Sequence, residues 1–214
     1  MNLIEQLGGA KARHKSRTGV AGVGYNTSNM PTKVNGKHTP EYVMWREMLR
    51  RCYSTEFKSR FPCYDGCVVA IEWHDFKNFY DDLIEMTGYE NINLGRSYNL
   101  DKDLLIKGNK IYSKEACSIV PQEINKLITS RKSKRGKYPV GVHFSPSKGK
   151  FAAQVSLDEK KNLHVGYFND ENSAFLAYKS AKESRIKELA EKYKNYISEN
   201  VYLALINYEV NKND

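Results

Sequence analysis

The chain is poor in the features that mark secreted and membrane proteins. Its 214 residues include four cysteines and two tryptophans. No apolar run approaches the ~18 residues a transmembrane helix needs. The opening MNLIEQLGGAKARHKSR has no apolar stretch of the kind a secretory signal carries. An intracellular, reducing compartment is therefore expected, with no membrane partner. Cys52, Cys63, Cys67 and Cys117 are too few for a disulfide framework in a chain of this size. Cys63-x3-Cys67 lacks a second Cys or His pair at ligand spacing, so zinc is not expected and the four are read as reduced, partly buried thiols. Hydrophobic residues make up 40% and mean hydropathy is −0.66. That suits a protein with a core but little apolar surplus, as one large domain or two small ones.

Acidic residues are nearly missing from one window. Residues 126–162 hold ten Lys+Arg and two acids, net +8, and residues 1–40 are net +5. The segments 41–125 and 163–214 are net −3 and −1, so these two basic regions carry the excess behind the overall +9. A focused basic segment is the footprint of a polyanion contact, most often nucleic acid, against the alternative of a solvated basic face.

Five segments are expected: a basic mobile arm (1–39), a folded unit (40–127), a basic linker (128–137), a second unit (138–196), and a C-terminal helix and tail (197–214). The arm contains Gly19-Val-Ala-Gly-Val-Gly24, which lacks the Gly-Lys-Ser/Thr of a phosphate-binding loop and is read as an extended segment touching DNA backbone. Tyr42, Val43, Trp45, Met48 and Leu49 form one apolar helical face, with Arg46, Arg50 and Arg51 on the other side. Trp73, Phe76, Phe79, Tyr80, Leu83 and Ile84 recur at helical spacing and are read as core. His74 at that helix start is read as a capping or surface residue. In the second unit, YPVGVHF, KFAAQVSL and LHVGYF read as three short strands. Phe151, Ala153 and Val155 alternate with Lys150, Ala152, Gln154 and Ser156. Asn169 or Asp170 then caps a helix bearing Ala174, Phe175, Ala177, Tyr178 and Ala181. A last helix is expected over 201–208.

Tyr138 to Ala181 resembles the AP2 DNA-binding domain. The likeness rests on YPVGV, on Gly149-Lys-Phe-Ala-Ala153, on LHVGYF and on the Ala174…Ala177-Tyr178…Ala181 helix. It implies a three-stranded antiparallel sheet packed on a helix and laid in the major groove of double-stranded DNA, which a β-ribbon can enter. Here His143, Ser156 and His164 stand where Arg, Arg and Trp are common. The contacts implied by charge and resemblance are Arg131, Lys132, Lys134, Arg135 and Lys137 in the linker, and His143, Ser145, Lys148, Lys150, Gln154, Ser156, Lys161 and His164 in the sheet.

Trp45 to Asn125 resembles an HNH-related module found beside AP2 domains in bacteriophage proteins, some of them homing-type endonucleases. The matching residues are Trp45…Met48…Arg51-Cys52-Tyr53, Tyr64-Asp-Gly-Cys67-Val, Glu72-Trp73, Phe76…Phe79, Leu100-Asp-Lys-Asp103, Gly108-Asn109, Tyr112-Ser113, Cys117 and Pro121…Asn125. The resemblance implies a ββα core around Mg²⁺ or another divalent ion, with Asp101, Asp103 and Asn109 as candidate ligands. It also places the protein in the cytoplasm of an infected bacterial host. Lys102 stands at the position of the general-base His, which leaves enzymatic activity open, because a Lys near its ordinary pKa is a poor proton acceptor.

The expected architecture is thus α+β: a degenerate HNH-like ββα module, an AP2-like sheet on a helix, and a helical C-terminus. The leading expectation is a DNA-binding phage protein with a weak or inactive HNH-like module. The alternatives are a Mg²⁺-dependent homing-type endonuclease using Asp101 and a non-standard base, or a protein that binds a host or defence protein with the HNH-like module as scaffold. A homodimer through the C-terminal helices is a further possible association.

Overall fold

The fold is that of a computed structural model describing residues 19–94, 97–129, 137–157 and 162–212. The first eighteen residues of the expected arm, the linker residues Arg131, Lys132, Lys134 and Arg135, and Lys161 lie outside the described residues. The chain divides into two units, Met1–Ile119 and Val120–Asp214. Its class is α+β, with seven α-helices and four small sheets among the described residues. No helix among them is long and apolar enough to cross a membrane.

In the first unit a small hairpin, β1 (Lys33–Val34) and β2 (Lys37–His38), leads into helix α1 (Pro40–Tyr53). Thr39 caps α1 by accepting from the Tyr42 amide, and Pro40 occupies a first-turn position where its missing N–H costs nothing. Trp45, Met48, Leu49 and Cys52 follow at helical spacing and are buried. Helix α2 (Thr55–Arg60) and the short β3 (Val68–Val69) come next. Asp75 then caps α3 (Phe76–Glu85), which buries Phe76, Phe79 and Leu83. These residues join Trp73, Leu100, Tyr112 and Ile119 in one core. Ile84, expected in that core, is 43% exposed. Arg51 differs too: it is half-buried, its guanidinium carbon 5.9 Å from the Tyr64 ring centre and with Tyr112 nearby. The unit continues with α4 (Tyr89–Asn93) and β4 (Tyr98–Asp101). β5 (Ile111–Tyr112) pairs parallel with β3, and β6 (Ser118–Pro121) pairs with β4.

Within the expected arm, residues 20–27 fold onto the first unit. Val20 and Gly24 exchange backbone hydrogen bonds in a tight turn, and Val20, Ala21 and Val23 pack on the core. Tyr25 bonds through its backbone to His74 and Phe76, and Thr27 donates twice to the Asp75 carboxylate. The apolar residues between the glycines explain the difference: Val20, Ala21 and Val23 are partly buried against the core, and Gly24 lies close to Trp45 and Leu49.

The second unit opens with α5 (Gln122–Ile128), a segment the sequence placed in the first. Strands β7 (Val142–Ser145), β8 (Lys150–Ser156) and β9 (Asn162–Phe168) form an antiparallel sheet in that order. Helix α6 (Glu171–Tyr193) is capped by Asp170, which accepts from Ser173, and packs on the sheet with Ala174, Phe175 and Tyr178 buried. Gly141 adopts φ +75°, and a Cβ there would lie 2.1 Å from the Tyr178 ring, so strand entry and helix meet where only glycine fits. Glu123 on α5 accepts from Arg185, Lys192 and Tyr193 of α6. Helix α7 (Glu199–Ile206) buries Val201 and Leu205, and Lys179 and Glu183 hold the backbone of Val210.

Two outcomes are expected in the first unit. A Cβ on Gly24 would lie 2.4 Å from Leu49 Cδ1 and 2.9 Å from the Trp45 ring, both fixed in the core. Gly24→Ala should lower unfolding free energy by about 1–3 kcal/mol in denaturant titrations followed by tryptophan fluorescence, the cost of overpacking; a detached arm would give no change. His74 is buried, not at the surface: Nε2 meets the Tyr53 hydroxyl at 3.0 Å and Nδ1 has no partner. Burial holds its pKa below the ordinary 6.5. The unfolded chain therefore binds this proton more tightly, so stability is full above about pH 6.5 and falls as pH drops through the folded-state value. Melting temperature should decline between pH 7 and 5, and His74→Gln should flatten that decline. An identical decline in the variant contradicts the assignment.

Candidate functional site

Register decides which side chains share a face of the second unit's sheet. Across β7 and β8 the pairs are His143 with Ala152 and Ser145 with Lys150; across β8 and β9, Ala152 pairs with Tyr167, Gln154 with His164 and Ser156 with Asn162. Directly paired residues project to the same side. One face therefore carries His143, Ser145, Lys150, Gln154, Ser156, Asn162, His164 and Tyr167. Six of these are the sheet residues singled out from the sequence; Asn162 and Tyr167 are additions. His143, Lys150, Ser156, Asn162, His164 and Tyr167 are exposed, and Ser145 and Gln154 half-buried. Lys137 and Lys148, the latter in the turn between β7 and β8, are exposed.

The opposite face holds Val142, Phe144, Phe151, Ala153 and Val155. Ala153 and Val155 are fully buried on the helix side. Phe151 is less enclosed than its place in the alternation suggests: it is half-buried, edge-on to Tyr138 and to the exposed Phe144. The pairing shifts between Ala153–Gly166 and Gln154–His164, so Val165 is the extra residue of a β-bulge. A bulge adds twist and re-aims the neighbouring side chains. It brings the His164 and Tyr167 rings to 4.6 Å on one face, although simple alternation would separate them.

The first unit gathers the other candidates into a turn. Asp101 is buried, and its Oδ1 accepts from the amides of Asp103 at 3.0 Å and Leu104 at 2.7 Å. Burial and the Asp103 charge push its pKa above the ordinary carboxylate range. Lys102 Nζ donates to Asp103 Oδ2 and to the Asn109 carbonyl, each at 2.8 Å, and lies 5.8 Å from the Tyr112 ring centre. Burial by itself would lower the Lys102 pKa, but the hydrogen bond and charge of Asp103 outweigh it and hold the amine above its usual value. The buried ammonium thus has two acceptors and closes the loop between Lys102 and Asn109. Asn109 donates to the carbonyls of Lys102 and Ile111 and accepts from the Ile111 amide.

Asp101 Oδ1 and the Asn109 amide are engaged by backbone, and the Asp103 carboxylate already faces a cation. No group of three His, Cys, Asp or Glu side chains able to hold a metal occurs among the described residues. Cys52, Cys67 and Cys117 are buried free thiols and Cys63 is exposed. Burial raises the Cys52 thiol to about 12, far from a reactive thiolate at neutral pH.

No family model, curated protein or solved structure matches the chain.

The turn's role is testable. Lys102→Met removes two charge-assisted hydrogen bonds and strands the Asn109 carbonyl, at a cost of about 1.5–3 kcal/mol. Denaturant unfolding should show that loss. A variant as stable as the parent would mean that the ammonium is not what closes the turn.

Proposed function

We propose that the chain binds double-stranded DNA, with the outer face of β7–β9 laid in the major groove in the manner of AP2 modules. The observation that carries this is the register: it gathers the polar and cationic side chains of the three-stranded sheet on one face, opposite Ala153 and Val155 beneath the helix. The +8 window around the sheet supports it, because a polyanion supplies a sequence-independent attraction to such a segment. The first unit is read as an HNH-related module that retains the fold and not the nuclease centre. The pairing of β4 with β6, the strands on either side of the 101–109 loop and β5, supports the kinship, and the Lys102 ammonium closing the loop argues against hydrolysis.

The test is duplex binding by the full chain across a salt series. If five to eight cations of residues 126–162 reach phosphates, log K should fall against log salt with a slope of roughly −4.5 to −7. The double variant Lys150→Ala with Gln154→Ala should bind more weakly while keeping the parent's melting temperature, since substitutions at the surface usually shift stability within about 0.5 kcal/mol. A slope near zero, or unchanged binding by the double variant, would refute the proposal.

A further inference from the structure

The two long polar side chains of the central strand differ in what they can read, and the sheet fixes the distance between them. Lysine carries only donors, so it matches the base edge that presents two acceptors, the O6 and N7 of guanine. Glutamine carries a donor and an acceptor side by side, which matches N7 and N6 of adenine. Lys150 and Gln154 sit on the same face of β8 four residues apart, roughly 13 Å at ~3.3 Å per residue. The duplex rises ~3.4 Å per base step, so two contacts at that spacing fall about four steps apart. Between them Ala152 is buried and offers no polar atom above the backbone.

The ends of the face also differ in company. Around Lys150 stand Ser145 and the exposed Lys148. Around Gln154 stand His164, directly across on β9, and Asn162, a second amide, across from Ser156. The Val165 bulge lies at this second end, where it reorients His164 and its neighbours. The backbone of Gln154 is anchored by its amide donating to the Gly141 carbonyl at 2.9 Å, so the side chain starts from a fixed point.

We infer that this face reads a directional site, guanine under Lys150 and adenine under Gln154, about four base steps apart. The inference rests on the duplex reading above. It is tested by selecting binders from a randomised duplex pool with the full-length parent, Gln154→Ala and Lys150→Ala, after a gel-shift assay with unselected duplex. The parent should enrich a motif with guanine and adenine at that separation. Gln154→Ala should lose the adenine and keep the guanine, and Lys150→Ala should do the reverse. In the selected site, exchanging that A·T pair for G·C should weaken the parent roughly 5- to 150-fold and barely affect Gln154→Ala. If the parent shifts duplex but the variants enrich the same motif, or none emerges, the specificity inference fails and duplex binding stands. If the parent shifts no duplex, both fall together.

Discussion

The burial of Ala153 and Val155 beneath α6 decides where every other side chain of the β7–β9 sheet points. Both are small enough to let the helix approach closely, and Gly141 makes the same allowance at the strand's entry, where the Tyr178 ring occupies the space of a Cβ. Alternation then sends Lys150, Gln154 and Ser156 outward, and pairing with β7 and β9 extends that face across three strands. A one-residue slip of β8 would turn Ala153 and Val155 to solvent and Gln154 into the helix, at the cost of burying an amide without partners. The apolar contact therefore specifies the polar surface, and a surface specified in this way can carry recognition on a rigid base.

The first unit uses charge differently. Its polar residues sit inward and join segments far apart in sequence. Asp75 caps α3 while holding Thr27, and Tyr89 donates to the buried Glu41. Asp101, Lys102 and Asn109 lock the loop between β4 and β5 through contacts to its backbone. Removing one partner of such a set leaves another buried and unsatisfied, so each of these side chains holds the shape of the turn.

Much of this was legible in the sequence, for reasons that can be named. Strict period-two alternation in KFAAQVS gave the orientation of β8, and the 3.6-residue spacing of Trp45, Met48, Leu49 and Cys52 gave the buried face of α1. Asp170 was one of two residues offered as the cap of α6. What escaped was non-local. Alternation through LHVGYF puts His164 and Tyr167 on opposite sides; the bulge at Val165 reverses this, and its one local mark is Gly166 within the strand, which alone does not say which residue is extra. The Gly-rich segment 19–24 looks polar and mobile by composition, yet its valines have a partner surface some twenty residues onward. A lysine beside two aspartates reads as a candidate active site, and nothing local shows that its ammonium also bonds the Asn109 carbonyl seven residues on. His74 read as a surface or capping residue because nothing local announces that Tyr53 will lie over it.

The central claim is that one face of one sheet meets duplex DNA. Backbone amide chemical shifts of the full chain, tracked as a DNA duplex is titrated in, test it directly. The account predicts that the largest changes map to residues 142–145, 150–156 and 162–168, with the buried positions of α6 nearly silent. Changes confined to the first unit or to the helix side of the second, or none at all, would contradict it.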